Sequence, residues 1–273
     1  MHEYHCPPDT ALGHLYARRI RLFLEGKIDE LLDLYAPDGV IINDFGADKR
    51  TPLYVCGREA LRAFFLDRMS KIGGQENTFT QWAEAEHALM AVVHATFIAK
   101  NGSRIPLVFH DSWYLRDGKI AIQFVGTIQY PDHTYADQME PKWEPPPTRL
   151  GAMYREQIAC LESHDINGVL HQYADDALLI TTFTHGRRPH YVRGRAQLGH
   201  HFQEISHGLT RFESGLDHCA ELPNVLMLGE SVRIHRHAQP ALEVSLYDNW
   251  VLHANRIVLH FAGVIRYPDG SYA

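Results

Sequence analysis

Gly126-Thr-Ile-Gln-Tyr-Pro-Asp-His-Thr-Tyr-Ala136 returns 137 residues later as Gly263-Val-Ile-Arg-Tyr-Pro-Asp-Gly-Ser-Tyr-Ala273. At the same offset Asp111-Ser-Trp-Tyr-Leu115 meets Asp248-Asn-Trp-Val-Leu252, and Tyr54-Val-Cys-Gly-Arg58 meets Tyr191-Val-Arg-Gly-Arg195. Further upstream the offset becomes 138, pairing Tyr35-Ala36 with Tyr173-Ala174 and Tyr16 with Tyr154. A length change of one residue between Phe45 and Tyr54 explains the shift. Matches in one order at one offset mark a tandem duplication. They set the expected boundaries: an N-terminal extension 1–10, a first domain 11–136, a linker 137–147 and a second domain 148–273. Pro141 and Pro145 to Pro147 break helix and ladder, so the linker is expected to be extended and semi-rigid.

The 273 residues suit two domains of about 130, each able to bury its own core. Hydrophobic residues at 45% and charged residues at 22% describe an ordinary globular chain. The net charge of −7, with no Lys/Arg block, gives no electrostatic footprint for nucleic acid. No apolar run is long enough to span a membrane, so neither nucleic acid nor membrane is an expected partner. Met1-His-Glu-Tyr-His5 lacks the basic and apolar regions of an export signal. The cysteines, Cys6, Cys56, Cys160 and Cys219, are scattered, as free thiols in a reducing compartment would be. A cytoplasmic location is the expectation.

Each copy reads as helices followed by strands. Leu12, Leu15, Tyr16, Ile20 and Phe23 follow helical spacing, as do Ile28, Leu31, Leu32 and Tyr35. Asp38 to Phe45 reads as a short strand, and Leu61, Phe64, Phe65 and Met69 as a third helix. Asn101-Gly102 and Asp117-Gly118 are hairpin turns, so the copy closes in an antiparallel meander. Helices on one face of such a sheet make an α+β layer fold.

This order, with Tyr-Ala-x-Asp, Gly-Arg-x-x-Leu and Asp-x-Trp-x-Leu before a final Asp-Gly-Lys-Ile, resembles the nuclear transport factor 2-like superfamily. SnoaL-like polyketide cyclases, ketosteroid isomerase, scytalone dehydratase and limonene epoxide hydrolase belong to it. The resemblance covers both copies. It implies two cone-shaped domains, each with three helices on a curved, mostly antiparallel sheet around a pocket for a small hydrophobic substrate. Relatives pair through their sheet faces. The two copies are therefore expected to form a pseudo-dimer within one chain, with a further homodimer as an option.

The resemblance also points to site residues. The isomerase base position falls on Asn43 and Thr181, with Asp44 adjacent and usable only if a bulge shifts the strand. Its second acid falls on Asp111 and Asp248. Asp111, Trp113 and Leu115 share one strand face. A carboxyl in an apolar pocket can hold its proton to higher pH and donate it, although an Asp near a hairpin can equally be structural. The isomerase tyrosine position holds Arg19 and Gln157, while Tyr16 and Tyr154 lie one turn earlier. Among the histidines, His94 and His260 are the candidate proton shuttles; their counterparts are Ser231 and Gln123. Tyr16, Tyr54, Trp113, Gln123, Tyr154, Tyr191 and Trp250 complete the expected substrate contacts. His235 and His237 with Glu243 faintly resemble half of a cupin metal motif, but the spacing is wrong and the second motif is absent. No metal and no cofactor are expected.

The implied activity is general acid–base proton transfer, as isomerisation, dehydration or cyclisation of a small hydrophobic oxygenated substrate, in the manner of natural-product biosynthesis. The alternative is a non-catalytic ligand-binding or interaction module of the same fold. Epoxide hydrolysis would need an Asp-Arg-Asp set, and Arg104 differs in strand parity from Asp111. The differences between copies mean that two identical active sites are not expected.

Overall fold

A computed structural model describes residues 5–45, 49, 51–138, 144–183 and 187–273. Parts of the expected N-terminal extension (1–4) and linker (139–143) lie outside the described residues. The chain divides into two compact units, Met1–Tyr135 and Ala136–Ala273.

In the first unit α1 (Ala11–Leu24) and α2 (Ile28–Leu32) precede β1 (Tyr35–Asn43) and β2 (Leu53–Cys56). Then come α3 (Arg58–Lys71), β3 (Ile72–Ala85), β4 (Ala88–Ala99), β5 (Arg104–Arg116) and β6 (Lys119–Gln129). The sheet order is β2-β1-β6-β5-β4-β3, with β1 parallel to β6 and every other pairing antiparallel. The second unit repeats this: α4 (Arg149–Glu162), α5 (Ile166–His171), β7 (Tyr173–Thr181), β8 (His190–Arg193), α6 (Gly194–Ser206), β9 (Leu209–Leu222), β10 (Val225–Arg236), β11 (Leu242–His253) and β12 (Arg256–Arg266). Its order is β8-β7-β12-β11-β10-β9, again with one parallel pair, β7 with β12. Each unit is thus an α+β fold with a mixed six-stranded sheet.

The repeated motifs have local physical reasons. Thr10 and Thr148 cap α1 and α4, each hydroxyl accepting from the backbone N–H of Gly13 or Gly151 at 3.1 Å. Those glycines are required: a Cβ on Gly13 would lie 1.9 Å from the Pro8 carbonyl oxygen, and one on Gly151 2.1 Å from that of Pro146. In the Gly-Arg pairs, Gly57 and Gly194 take φ of 80° and 76°, where L side chains are strained. Arg58 then donates to the Leu32 carbonyl and to Asp33, and Arg195 to the Leu170 carbonyl, tying the third helix to the end of the second.

Tyr35 and Tyr173 depart from the expected helical stripe. They open β1 and β7 and pair with Ile120 and Ile257. Their burial comes from the strand, because α2 and α5 stop at Leu32 and His171. Within each unit the sheet and helices enclose an apolar core of Leu, Ile, Val, Phe, Tyr and Trp side chains. Among the described residues no helix is long and apolar enough to cross a membrane.

Candidate functional sites

Alternation along β5 sends Ile105, Leu107, Phe109 and Asp111 to the inside of the first unit, where they line a hollow of about 190 Å³. Asp111 is 1% exposed, and its carboxylate accepts three hydrogen bonds: from Tyr16 at 2.9 Å, Trp113 Nε1 at 2.6 Å and Gln123 Nε2 at 2.9 Å. Burial raises the Asp111 pKa above the ordinary carboxylate value, against the opposing pull of Arg19 and these donors. The Gln123 oxygen accepts from the Tyr35 hydroxyl at 2.7 Å and from Arg19 at 3.3 Å, while Arg19 Nε donates to Tyr35 at 2.7 Å. Burial works against the Arg19 charge, but Tyr35 and Asp111 overcome it and hold the guanidinium protonated. The result is a closed network of two tyrosines, an arginine, an amide and a carboxylate in an otherwise mostly apolar hollow.

The equivalent hollow of the second unit is smaller, about 80 Å³, and differs in chemistry. Asp248 and His260 are each 5% exposed, and the Asp248 carboxylate lies against His260 Nε2. The other ring nitrogen, Nδ1, is 2.7 Å from the Tyr173 hydroxyl, which in turn accepts from Gln157 at 3.2 Å. Trp250 Nε1 donates to Asp248 at 2.7 Å, repeating the Trp113–Asp111 bond. The same hollow holds Glu230, 3% exposed, whose Oε2 accepts from Tyr154 and, at 3.0 Å, from Ser214. Its Oε1 makes no hydrogen bond to a described residue. Burial, and next the Asp248 charge, push Glu230 up to about 8, so it keeps its proton at neutral pH. His201, on α6, also lines the hollow; burial and then His260 press its pKa down to about 4.

The expected residues divide accordingly. Tyr16, Asp111 and Gln123 line the first hollow, and Asp248 and His260 the second. Trp113 and Trp250 are wholly buried and hold the carboxylates from behind, so they do not form the pocket wall that was expected. Tyr154 likewise reaches the second hollow through Glu230. Four further expectations are corrected. His94 is exposed on the face of β4 turned away from the hollow, since it shares parity with Met90 and Val92 and not with Ala91 or Val93. Tyr54 and Tyr191 are 40% and 41% exposed on the edge strands β2 and β8 and line neither hollow. β1 shifts register against β6 between Tyr35 and Val40 but pairs regularly from Val40 to Asn43, and Asp44 is not turned into the hollow: its carboxylate accepts from the Thr127 N–H and hydroxyl at 2.7–3.0 Å, tying the end of β1 to β6. Asn43, its neighbour, is the residue that lines the hollow.

Arg104 pairs with Glu76 in solvent, so the arginine beside Asp111 is Arg19. Among the described residues lining the first hollow, Asp111 is the single carboxylate, and the Asp-Arg-Asp set is incomplete there. His235 contacts Glu213 at 3.1 Å. No group of three or more His, Cys, Asp or Glu among the described residues could hold a metal ion. Sequence reasoning missed Glu230 and His201. A signal existed for Glu230: it interrupts the same-face series Leu226, Leu228, Val232, Ile234, at a position where the first copy has Val93.

A SnoaL-like domain family matches residues 16–123. Among solved structures, an NTF2-like protein of unknown function from Burkholderia pseudomallei is 15% identical, covering 43% of this chain and 91% of that one, with a TM-score of 0.37. The epoxide hydrolase/cyclase-like enzyme SalBIII is 18% identical, covering 42% and 88%, at a TM-score of 0.34. An LEH-like epoxide hydrolase from M. tuberculosis is 11% identical, covering 41% and 80%, at 0.35. No curated protein matches the chain. The family match identifies a SnoaL-like domain within the first unit, and the second unit repeats its order of helices and strands and its sheet order.

Proposed function

We propose that the chain is an acid–base enzyme whose chemistry resides in the second unit. It would move protons on a small, apolar, oxygenated substrate by isomerisation, dehydration or cyclisation. One observation carries this reading: a single apolar hollow holds a carboxyl that keeps its proton at neutral pH, Glu230, and a carboxylate–imidazole pair, Asp248–His260, able to take one up. A protonated carboxyl and a carboxylate–imidazole pair in one cavity give it a proton donor and a group able to act as a base. Glu230 Oε1 would protonate or polarise a substrate oxygen, while Asp248–His260 removes a proton from carbon. Tyr173 fixes the imidazole ring, and Trp250 fixes the carboxylate. The apolar walls, including Leu179, Val232 and Phe202, exclude water and strengthen each electrostatic contact. A hollow of about 80 Å³ takes only a few heavy atoms, which favours a small reacting group.

The test is proton exchange at carbon. The full chain is incubated in D2O with a panel of small hydroxyketones and unsaturated ketones, and exchange, double-bond migration and water loss are followed by NMR. Asp248→Asn and His260→Gln are each expected to slow exchange by about 10²-fold or more. Exchange at the parent rate in both variants would refute the base assignment.

A further inference from the structure

The first hollow carries charges that the second lacks. Arg19 and Arg68 both line it, and the corresponding positions in the second copy are Gln157 and Ile205. Arg68 lies 5.3 Å over the Phe64 ring and makes no hydrogen bond or ion pair with any described residue. Arg19 spends Nε and Nη2 on Tyr35 and Gln123, while Nη1 makes no hydrogen bond to a described residue. Asp111 makes no hydrogen bond to either guanidinium; its oxygens accept from Tyr16, Trp113 and Gln123. Two guanidiniums against one carboxylate leave a surplus positive charge and spare N–H donors facing an interior that offers no further acceptor of that kind. The remaining walls are mainly apolar, with six rings (Phe23, Phe45, Phe64, Phe65, Phe97 and Phe109) alongside an equal number of aliphatic side chains and the amides Asn43 and Gln75. At about 190 Å³ the space exceeds the roughly 150 Å³ that holds one benzene.

We infer that the first unit binds a small aromatic carboxylate, its ring among the phenylalanines and its anionic head on Arg19 and Arg68. A buried carboxylate is tolerated only when paired and hydrogen-bonded, and guanidinium forks supply both. A neutral ring compound would gain the same apolar contact but leave the arginine donors unused. The inference is independent of the acid–base reading of the second unit, and the chain would then carry two sites of different chemistry.

Calorimetric titration of the full chain decides it. Benzoate, phenylacetate and 3-phenylpropanoate are compared with their primary amides, in the parent chain and in Arg68→Gln, Arg19→Gln and Arg233→Gln. Arg233 is a second-unit arginine paired with Glu243, and its loss controls for net charge. At least one acid should bind more tightly than about 1 mM and about tenfold or more above its amide. Arg68→Gln, which breaks no hydrogen bond, should remove most of that preference; Arg19→Gln should do the same, and Arg233→Gln should not. Three outcomes overturn the inference: no acid binding below that limit, equal binding of acid and amide, or an unchanged preference in Arg68→Gln.

Discussion

Replacing Glu230 by glutamine tests the acid directly through stability. In the unfolded chain this carboxyl releases its proton near the ordinary 4.5, whereas in the folded protein it does so near 8. Between those values the folded state binds more protons, so stability falls as pH rises and levels off above the folded value. The difference between 4.5 and about 8, at about 1.4 kcal/mol per unit, gives a ceiling of roughly 5 kcal/mol. Local relaxation around Glu230 reduces this, and about 2–4 kcal/mol is the expected size. Glutamine has no such titration. Its oxygen can still accept from Tyr154 and Ser214, as Oε2 does. The stability of Glu230→Gln relative to the parent should therefore rise by about 2–4 kcal/mol between roughly pH 5 and pH 8.5. Urea unfolding followed by circular dichroism at several pH values measures it, the transition that moves being that of the second unit. A stability difference that is flat with pH, or that falls, would mean that Glu230 is ionised in the folded state and cannot be the acid.

Asp111→Ala should destabilise the first unit by about 3–5 kcal/mol, since it strands three buried donors; the unfolding midpoint read by circular dichroism is the check. Asp44→Ala should cost about 2–4 kcal/mol in the same assay yet leave proton exchange in the second unit at the parent rate, because Asp44 anchors Thr127 within the first unit and does not line the second hollow. His94→Gln, Tyr54→Ser and Tyr191→Ser, all at exposed positions, should each shift stability by less than about 0.5 kcal/mol and leave exchange unchanged.

The duplication made the fold readable, because turns, capping residues and Gly-Arg pairs recur wherever the same backbone needs them. The Asp-x-Trp face was readable too, since strand alternation put Asp111 and Asp248 inside together with the tryptophans that bond them. Non-local features were less visible. The parallel pairing of β1 with β6 joins residues about 80 apart and leaves no local pattern. That same register decides that Asn43 faces inward and Asp44 does not. His94 was misplaced for want of a parity anchor on β4, which Val93 and its counterpart Glu230 provide once the hollow is known. Arg19 and Arg68 reach the first hollow from helices on long side chains, and spacing alone does not say where such heads end.

Asp137 bears on how the two halves can be taken apart. It sits in a 3-10 turn, Ala136–Gln138, just past the end of the first repeat; its side chain is 3% exposed and accepts from Arg266 at 2.6 Å, from Ser245 at 3.2 Å and from Tyr272 at 3.2 Å. A truncated protein cut at residue 148, where the repeat in the sequence resumes, would discard this acidic plug and leave Arg266 facing a vacated socket. Dissection should instead begin at Ala136, so that the downstream half keeps the short stretch of chain that seals it.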